Sequence, residues 1–319
     1  AVMQTEQKHM EIVIIGAGAL GCLFGALLAA HASVTLYTTN SDHARVINED
    51  GLLLTGMDGR RHNLALPVLT APEQYDRRAD LILICTKARS TGAAAGTAEQ
   101  LLAADGLVLT LQNGLGNLEQ IAARVGSRRA AAGITAQGAT LQAPGRVLHA
   151  GNGATVLAVG PGQDTAVAAV VGLFNRAGLD ADISHDVDAL LWSKLIVNVG
   201  INGLAAMLRV PNGTLTEVDA CRNLLDELVT EAMAVARALR IDLDYEEQLD
   251  RVHRVCRQTS ANRASMLQDV LRKVPTEIDV INGAVVAKGR ETGIATPANQ
   301  FLTRMIKALE ATAGQRVST

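Results

Sequence analysis

Three polar residues interrupt an otherwise apolar stretch that runs from Leu190 to Asn202. Lys194, Asn198 and Asn202 follow one another at intervals of four residues, so a helix places them along one stripe of its surface. A lysine in so apolar a setting is costly unless it is paired or lines a cleft. Its ammonium group can protonate the oxygen that forms when a hydride reaches a carbonyl carbon, and it can stabilise that oxygen beforehand. An exposed polar helix face is the alternative interpretation.

A second pattern of residues suits the binding of a dinucleotide. A complete GxGxxG pattern, between a β-branched run and a helical segment, is formed by Gly16, Ala17, Gly18, Ala19, Leu20 and Gly21. In such a loop the first glycine permits a tight turn, the second lets a pyrophosphate approach the backbone, and the third allows close helix packing. The amide groups at the start of the helix then face the phosphates. A glycine-rich turn without a ligand is the alternative.

The end of the next predicted strand bears on which dinucleotide binds. An NAD site usually places Asp or Glu about 20 residues after the glycine loop, where it holds the ribose hydroxyls. Here the stretch Thr38–Ser41 carries hydroxyl and amide groups and no carboxylate, and the first carboxylate after it is that of Asp42. This pattern favours NADP over NAD. Arg45 lies one helical turn further, either as a charge for the 2′-phosphate or as an ordinary solvated side chain.

Lys87 and Asn113 each follow the end of a predicted strand. Ligands bind at those ends in open parallel sheets, which favours a role in binding. The alternatives are a solvated Lys87 and a plain turn at Asn113-Gly114, because Asn-Gly is a common turn pair.

Two further polar clusters lie late in the chain, around Ser265 and around Glu277. Thr276 can cap a helix whose first turn holds Glu277 and Asp279, and Ser265 can be a helix surface residue. Spacing alone does not bring either cluster next to Lys194.

The elements that must position these residues differ between the two halves of the chain. Short apolar runs alternate with helical stretches in the first half, which predicts a parallel sheet. The predicted strands are 11–15, 34–37, 80–85 and 106–111, continued by 131–134 and 155–159, with 138–153 as a hairpin or loop excursion. In the second half, apolar residues recur at helical spacing and strand-like runs are absent. The stripes are Leu224, Leu225, Leu228, Val229, Ala232, Met233 and Ala236; Leu249, Val252 and Val255; and Phe301, Leu302, Met305, Ile306 and Leu309.

We therefore predict an α/β dinucleotide-binding domain with a mostly parallel sheet over residues 1–185, followed by an all-α domain over residues 186–319. The composition agrees, since 48% of the 319 residues are hydrophobic and 19% are charged, which argues against disorder. A net charge of −3 is unlike that of a nucleic-acid binder.

Other features of the composition bear on location and on metal binding. The uninterrupted apolar runs are all shorter than the roughly 18 residues of a membrane span, and the polar start Ala1–Glu11 predicts no signal peptide. The four cysteines form no metal-ligand pattern, and we expect buried free thiols in a reducing cytoplasm.

Together these segments resemble the ketopantoate reductase (2-dehydropantoate 2-reductase) family, from Ile12 to about Leu309. The first half carries GAGALG at 16–21, TK at 86–87 and QNGLGN at 112–117. The second half carries WSKLIVNVGIN at 192–202, PNG at 211–213, SMLQD at 265–269 and TEIDVING at 276–283. The last two blocks and the Lys–Asn–Asn helix are far more specific to that family than the glycine loop.

The resemblance implies a Rossmann-type domain followed by a helical domain, with the active site in the cleft between them. The implied activity is the NADPH-dependent reduction of 2-dehydropantoate to (R)-pantoate. Lys194 is implied as the proton donor, and Glu277 as a residue at the nicotinamide end that orients Lys194 or the cofactor. The implied substrate-binding residues are Asn198, Asn202, Asn212, Asn262 and Ser265. Besides the glycine loop, the implied cofactor contacts are Lys87, Asn113 and Ala139.

One departure concerns the cofactor, because the chain has Thr38-Thr39 where the family often has arginine near the 2′-phosphate. Arg45 would have to compensate. Two rival functions stay open: a reductase of the same build for another 2-oxo acid, and a non-catalytic NADP-binding sensor whose helical half serves a protein partner. We expect a small 2-oxo acid as partner, no nucleic acid and no membrane, and helices that pack within one chain or across a homodimer.

Overall fold

The computed structural model describes residues 10–315. Most of the polar start, on which the signal-peptide prediction rests, lies outside this range. The chain forms two compact units. The first comprises the residues up to 112 together with 116–187, and the second comprises Asn113–Leu115 together with the residues from 188 onward. The division predicted from the sequence placed 113–115 in the first half.

The first unit alternates strands and helices. Its elements are β1 (Glu11–Ile15), α1 (Ala19–Leu28), β2 (Ser33–Tyr37), α2 (Ser41–Asp50), β3 (Leu52–Thr55), β4 (Arg61–Leu64), β5 (Val68–Leu69), β6 (Ala79–Ile84), α3 (Thr91–Leu101), β7 (Leu102–Thr110), α4 (Asn117–Val125), β8 (Ala130–Thr135), β9 (Gly138–Ala143), β10 (Arg146–Gly151), β11 (Thr155–Ala158), α5 (Asp164–Arg176) and β12 (Ala181–Ser184).

Eight of these strands form one sheet, in the order β12-β11-β8-β7-β6-β1-β2-β5. Six neighbouring strands of this sheet run parallel, namely β5, β2, β1, β6, β7 and β8. Strand β11 pairs antiparallel with β8 and parallel with β12. The order of those six strands is that of the doubly wound dinucleotide-binding sheet, and β1 and β6 lie at the point where the order reverses. The predicted mostly parallel α/β fold is confirmed.

The central strand β1 shows why the strands of this sheet have continuous apolar sequences. Ile12 and Ile14 face a core shared with α1 and α5, where the rings of Phe24 and Phe174 have centroids 5.5 Å apart. Val13 and the rest of the opposite face pack against the alanines of α3 and against α4. A strand covered on both faces needs apolar side chains at every position, which is the pattern of a parallel sheet.

A second sheet, in the order β4-β3-β10-β9, covers the outer side of α1. The predicted hairpin at 138–153 forms β9 and β10 of this sheet. Strands β3, β4, β5 and β12 were not predicted from the sequence. Strand β3 is short and half-buried, and β4 is exposed over Arg61–Asn63, so β4 has no hydrophobic pattern and depends on its pairing with β3.

The second unit is helical over residues 188–315, as predicted. Its helices are α6 (Val187–Leu208), α7 (Thr214–Glu217), α8 (Asp219–Ala238), α9 (Tyr245–Gln258), α10 (Ser265–Leu271), α11 (Asn282–Thr292) and α12 (Pro297–Ala311). Helix α6 is long and apolar enough to cross a membrane, which the sequence analysis did not anticipate, but most of it is buried as the core helix of this unit. Gly200 lets α9 pack closely on it, since a Cβ there would lie 3.0 Å from Val252 Cγ1.

Several predicted stripes are turned relative to the observed core. Leu224 on α8, and Phe301 and Met305 on α12, are exposed. Helix α9 buries Gln248, Val252 and Cys256. Of the predicted stripe only Val252 is fully buried, while Leu249 and Val255 are half-buried against the core. Gln248 can be buried because its side-chain oxygen accepts a hydrogen bond from Ser193 Oγ at 3.0 Å. Polarity alone therefore misassigned this face.

A buried polar network joins α6, α8, α11 and α12. The Asn282 amide donates to Val199 O at 3.1 Å and to Asn299 Oδ1 at 2.9 Å. The Asn299 amide donates to Glu231 Oε2 at 2.8 Å, and the Glu231 carboxylate also accepts the backbone N–H groups of Ala298 and Asn299. Asn282 and Asn299 are fully buried, so the network stabilises the unit only while each donor keeps its acceptor.

We expect Glu231→Ala to lower the free energy of unfolding by about 2 kcal/mol, because it leaves buried donors without a charged acceptor. Chemical denaturation measures this change. Glu291→Ala is the matched control: that carboxylate pairs with Lys288 on the surface and should cost less than about 0.5 kcal/mol. Equal effects of the two variants would contradict a structural role for the network.

Candidate active site

The glycine loop begins directly after β1, at the carboxyl edge of the sheet. The N–H groups of Gly16 and Ala17 both donate to Tyr37 O, at 2.9 and 3.2 Å. Gly16 has a φ of 105°, and a Cβ there would lie 2.7 Å from Thr86 N. A Cβ at Gly21 would lie 2.1 Å from Gly16 O. The first and third glycines are therefore required by the packing of the protein itself.

Gly18 differs from these two glycines. It is exposed, has ordinary extended angles, and a Cβ there would meet no atom within 4 Å. The protein's own packing gives no reason for glycine at this position, whereas close approach of a ligand does. Helix α1 begins at the next residue, so its first N–H groups are available for phosphates. The residues of this loop fit the pyrophosphate of a dinucleotide.

The ends of β6 and β7 are joined by the side chain of Gln112. Its amide nitrogen lies 2.9 Å from Thr86 O and 2.9 Å from Thr91 Oγ1, and its oxygen accepts from Thr110 Oγ1 at 2.9 Å. Gln112 is thus occupied in holding the loop that carries the half-buried Lys87. Gln112 belongs to the QNGLGN segment at 112–117, but its role was not predicted from the sequence.

The region expected to face the adenosine ribose holds hydroxyl and amide groups. Thr38 Oγ1 accepts from Asn40 N, and Asn40 Oδ1 caps α2 by accepting from His43 N at 3.0 Å. Arg45 is exposed and pairs with Glu49 one turn later on α2, at 2.7 Å. Ala139 is half-buried on β9 and packs against the core around α1.

In the second unit, the predicted stripe on α6 is enclosed. Asn198 and Asn202 are buried and Lys194 is half-buried, so the interpretation as an exposed polar face is wrong. The Asn198 amide lies 3.4 Å from Asn113 Oδ1, and the Asn202 amide lies 3.4 Å from Ser265 Oγ. The structure therefore brings four of the predicted residues together in pairs along one helix.

The loops around this stripe hold the remaining candidates. Asn212 is buried, its backbone N–H donates to Asn262 O at 3.0 Å, and its side-chain amide donates to Thr259 Oγ1. Asn212 Oδ1 has no hydrogen-bond partner among the described residues. Asn262 and Ser265 are exposed, and Ser265 is the first residue of α10.

Glu277 is buried just before a short 3₁₀ turn, Ile278–Val280. Thr276 Oγ1 accepts from Ile278 N at the start of this turn, while helix α11 begins only at Asn282, later than the predicted cap implies. Val280 O accepts from Leu115 N at 3.1 Å, which ties the 113–115 segment to the Glu277 loop.

The charge of Lys194 is set by its surroundings. Burial and, to a smaller extent, the positive charge of Arg251 lower the pKa of Lys194 to about 8. Arg251 is half-buried on α9 and donates a hydrogen bond to Ser193, the residue before Lys194. Arg251 was not predicted from the sequence. The signal that could have indicated it is the pair of polar residues, Gln248 and Arg251, close to the apolar Val252.

Burial keeps three of the four cysteines in the thiol form. All four are free; Cys22 and Cys256 are buried as predicted, whereas Cys85 and Cys221 are half-buried. Burial raises the pKa of Cys22, Cys85 and Cys256 to about 12, so these groups stay as thiols at neutral pH. Within residues 10–315 no group of three or more potential metal ligands occurs.

The first unit has a glycine loop at the reversal point of a doubly wound sheet, and the second has an enclosed lysine–asparagine stripe. These two features together define a class of dinucleotide-dependent oxidoreductase. Comparison with known families specifies it. A family model described as "Ketopantoate reductase PanE/ApbA" matches residues 12–162, and one described as "Ketopantoate reductase PanE/ApbA C terminal" matches residues 186–310. The chain belongs to the ketopantoate reductase PanE/ApbA family, and it is a nicotinamide-dependent reductase.

Similar proteins span the whole chain. The 2-dehydropantoate 2-reductase of Halobacterium salinarum is 35% identical, over 93% of this chain and 98% of its own length. That of Pyrococcus abyssi is 34% identical, over 96% and 100%. Among solved structures, a D-mandelate dehydrogenase with NADH and anilino(oxo)acetate is 30% identical with a TM-score of 0.91, over 96% of this chain and 100% of its own. A ketopantoate reductase from Ralstonia eutropha is 30% identical with a TM-score of 0.87, over the same shares.

We expect Gly18→Ala to leave the free energy of unfolding within about 0.5 kcal/mol, because the new methyl group meets open space. The same change should weaken dinucleotide binding about tenfold or more, since it fills the space for the pyrophosphate. Fluorescence titration with NADPH and with NADH measures the binding.

Gly96→Ala on α3 is the control, because its methyl group also meets no atom within 4 Å but lies away from the loop. Both affinities should be unchanged in this variant. Wild-type affinity in Gly18→Ala would show that no phosphate group approaches this residue.

Proposed function

We propose that this chain reduces 2-dehydropantoate (ketopantoate) to (R)-pantoate with NADPH, the step of pantothenate biosynthesis implied by its family. The observation that carries the proposal is the enclosed stripe of Lys194, Asn198 and Asn202 on α6, in a chain that also has a complete phosphate loop. Two relatives that match this chain over nearly their full length, at 35% and 34% identity, are named for this activity. A sensor that only binds NADP has no need for an enclosed lysine.

Lys194 is the proposed proton donor. When bound, the nicotinamide supplies the hydride that the C2 carbonyl carbon receives. The Lys194 ammonium donates a hydrogen bond to the 2-oxo oxygen, stabilises the negative charge that develops there, and then transfers its proton. A pKa of about 8 suits this role, because the group is mostly protonated at neutral pH and still gives up its proton readily.

The substrate is held by amide and hydroxyl groups. Asn198, Asn202 and Ser265 are the proposed partners of its carboxylate and hydroxyl oxygens. The contact of Asn198 with Asn113 and that of Asn202 with Ser265 are both 3.4 Å, which is long for a hydrogen bond, so these groups can turn to a substrate at little cost. Asn212 and Asn262 are weaker candidates. The buried Asn212 Oδ1 is suited to accept a hydrogen bond from a substrate hydroxyl.

The proposed cofactor contacts are the glycine loop, Lys87, Asn113 and Ala139, with Glu277 orienting Lys194 or the nicotinamide. The preference for NADPH rests on the stretch Thr38–Ser41, which offers hydroxyl and amide groups and no carboxylate that would repel a 2′-phosphate. Arg45 is tied to Glu49 on the surface, and that exposed pair is weak enough to be exchanged for a phosphate.

Besides the cofactor, the reaction requires only the small 2-oxo acid as a partner, and we place the reaction in the cytoplasm. The homodimer considered in the sequence analysis stays a prediction.

We expect Lys194→Ala to lower kcat for ketopantoate reduction by about 10² to 10⁴, because the variant lacks both the proton and the positive charge at the 2-oxo oxygen. The loss of absorbance of NADPH measures the rate. The affinity for NADPH should change little. In the wild type, kcat/KM should be higher for NADPH than for NADH. It should also be higher for ketopantoate than for other 2-oxo acids, including the 2-oxo acid that is formed when mandelate is oxidised.

Lys288→Ala is the matched control, because Lys288 pairs with Glu291 on the surface. It should turn over like the wild type. Unchanged turnover in Lys194→Ala would remove Lys194 from the reaction, and a faster reaction with another 2-oxo acid would replace the proposed substrate.

We expect the rate of reduction to fall as the pH rises above about 8, because Lys194 then loses the proton that it must donate. Arg251→Gln removes a nearby positive charge, so the pKa of Lys194 rises and this decline moves to higher pH. The pH dependence of kcat/KM measures both effects. Arg254→Gln changes an exposed residue one turn away and should leave the profile in place. A decline that stays fixed in Arg251→Gln would contradict the electrostatic coupling.

A further inference from the structure

His43 is a buried histidine of the first unit to which the proposed reaction gives no role. It lies in the first turn of α2 and is only 3% exposed. Its ring contacts two segments that are distant in the sequence. Nδ1 lies 3.2 Å from the backbone N of Gly145, in the turn between β9 and β10. On the other side, the ring lies beside the carbonyl of Ala17 in the glycine loop, and Nε2 lies 3.5 Å from Cys22 Sγ.

These contacts determine the protonation of the ring. A backbone N–H is only a donor, so Nδ1 must accept the hydrogen bond from Gly145 and cannot carry a proton. The neutral ring therefore has its proton on Nε2, where it points to the glycine loop. Cys22 Sγ also lies 3.4 Å from Ala17 O, and burial keeps this group a thiol that can donate. The Cys22 thiol thus holds the Ala17 carbonyl, and the N–H group of the His43 ring lies against that thiol and helps to keep it in place.

The position of the Ala17 carbonyl determines the direction of the next N–H group. The peptide bond between Ala17 and Gly18 is trans, as are all those described, so its C=O and N–H point in opposite directions. When Ala17 O is held inward in this way, the N–H of Gly18 is directed outward. Gly18 is the glycine whose surroundings are open, where the pyrophosphate is proposed to approach.

We propose that His43 is a positioning residue for the cofactor: its neutral ring fixes the Ala17–Gly18 peptide so that the Gly18 N–H faces the dinucleotide phosphate. This inference rests on the proposed function, because it assumes that the loop binds NADP(H). It adds a residue that does not itself touch the cofactor.

A dependence on pH follows from the same geometry. Protonation would place a second N–H on Nδ1, opposite the N–H of Gly145, and would break that contact. Burial lowers the pKa of His43 below its ordinary value of 6.5. The contact is therefore intact at neutral pH and is lost as the pH falls below that value. The folded protein loses stability in the same direction, because the unfolded chain takes up the proton first.

The charged groups around the ring do not offset this effect. On α1, the group that faces the ring is the Cys22 thiol. In the β9–β10 hairpin, the charged residue next to Gly145 is Arg146, whose side chain is exposed. On its own helix, Asp42 and Arg45 are exposed. Among the described residues, therefore, no carboxylate is in contact with the ring to stabilise a protonated form.

The test compares two variants of the full chain with the wild type. His43→Leu removes the polar contacts of the ring with Gly145 and Cys22, whereas His43→Gln keeps an amide donor on the side of the glycine loop and an oxygen acceptor for Gly145 N but cannot be protonated. His62→Gln, a change of an exposed histidine on β4, is the matched control. Isothermal titration calorimetry with NADP⁺ gives the dissociation constant of each protein at about pH 7.5 and about pH 5.

We expect His43→Leu to bind NADP⁺ about tenfold more weakly at neutral pH, and His43→Gln to bind within about threefold of the wild type. The 2′-phosphate of NADP⁺ itself titrates near pH 6, so all proteins lose some affinity on acidification. The wild type and His62→Gln should lose more affinity than His43→Gln, because only these two proteins keep the histidine at position 43 that can take up a proton.

Two outcomes would overturn the proposal. One is a melting temperature that falls in His43→Leu while the affinity for NADP⁺ is unchanged, which would make His43 merely structural. The other is an equal pH dependence in the wild type and in His43→Gln, which remains measurable if His43→Leu does not fold. A wild type that binds no NADP⁺ at all would instead contradict the proposed function.

Discussion

An amine and two amides lie on a helix that is otherwise packed into a hydrophobic core, and much of the second unit is arranged around this fact. Buried polar groups are tolerated only when neighbouring groups satisfy them. The amides of Asn198 and Asn202 therefore reach partners on two other segments, and the carbonyl of Val199 between them accepts from Asn282. The same enclosure lowers the pKa of Lys194 to about 8. Structural cost and proposed chemistry thus have one physical origin, the removal of water from this stripe.

The fold could be predicted where burial is complete. Strands β1 and β6 are apolar at nearly every position because helices cover both faces of the sheet, and such runs are visible in a sequence. The small second sheet could not be predicted in full. Its strand β4 is exposed over Arg61–Asn63 and exists because β3 offers it backbone partners. Nothing in the side chains of such a strand marks it.

The candidate site shows the same division. The stripe on α6 and the glycine loop were found because their residues are close in sequence, so that spacing alone defines their geometry. Arg251 and His43 were missed because their partners are far away along the chain: Ser193 is 58 residues from Arg251, and Gly145 is 102 residues from His43. A contact of this kind depends on how elements pack, and no local pattern encodes it. The two Cβ tests at Gly16 and Gly18 make the same point, since only the structure separates a glycine needed for packing from one that leaves space for a ligand.

The assignment of Asn113–Leu115 to the second unit has a consequence for dissecting the protein. These three residues are covalently part of the first half, yet Leu115 donates to Val280 and Asn113 accepts from Asn198. A gene cut at the junction near residue 187 would yield an amino-terminal fragment with a half-buried leucine left uncovered, and a carboxyl-terminal fragment without the tripeptide that completes it. Separate expression of the halves would thus create two incomplete folding units, and an excised helical half would need this tripeptide grafted back.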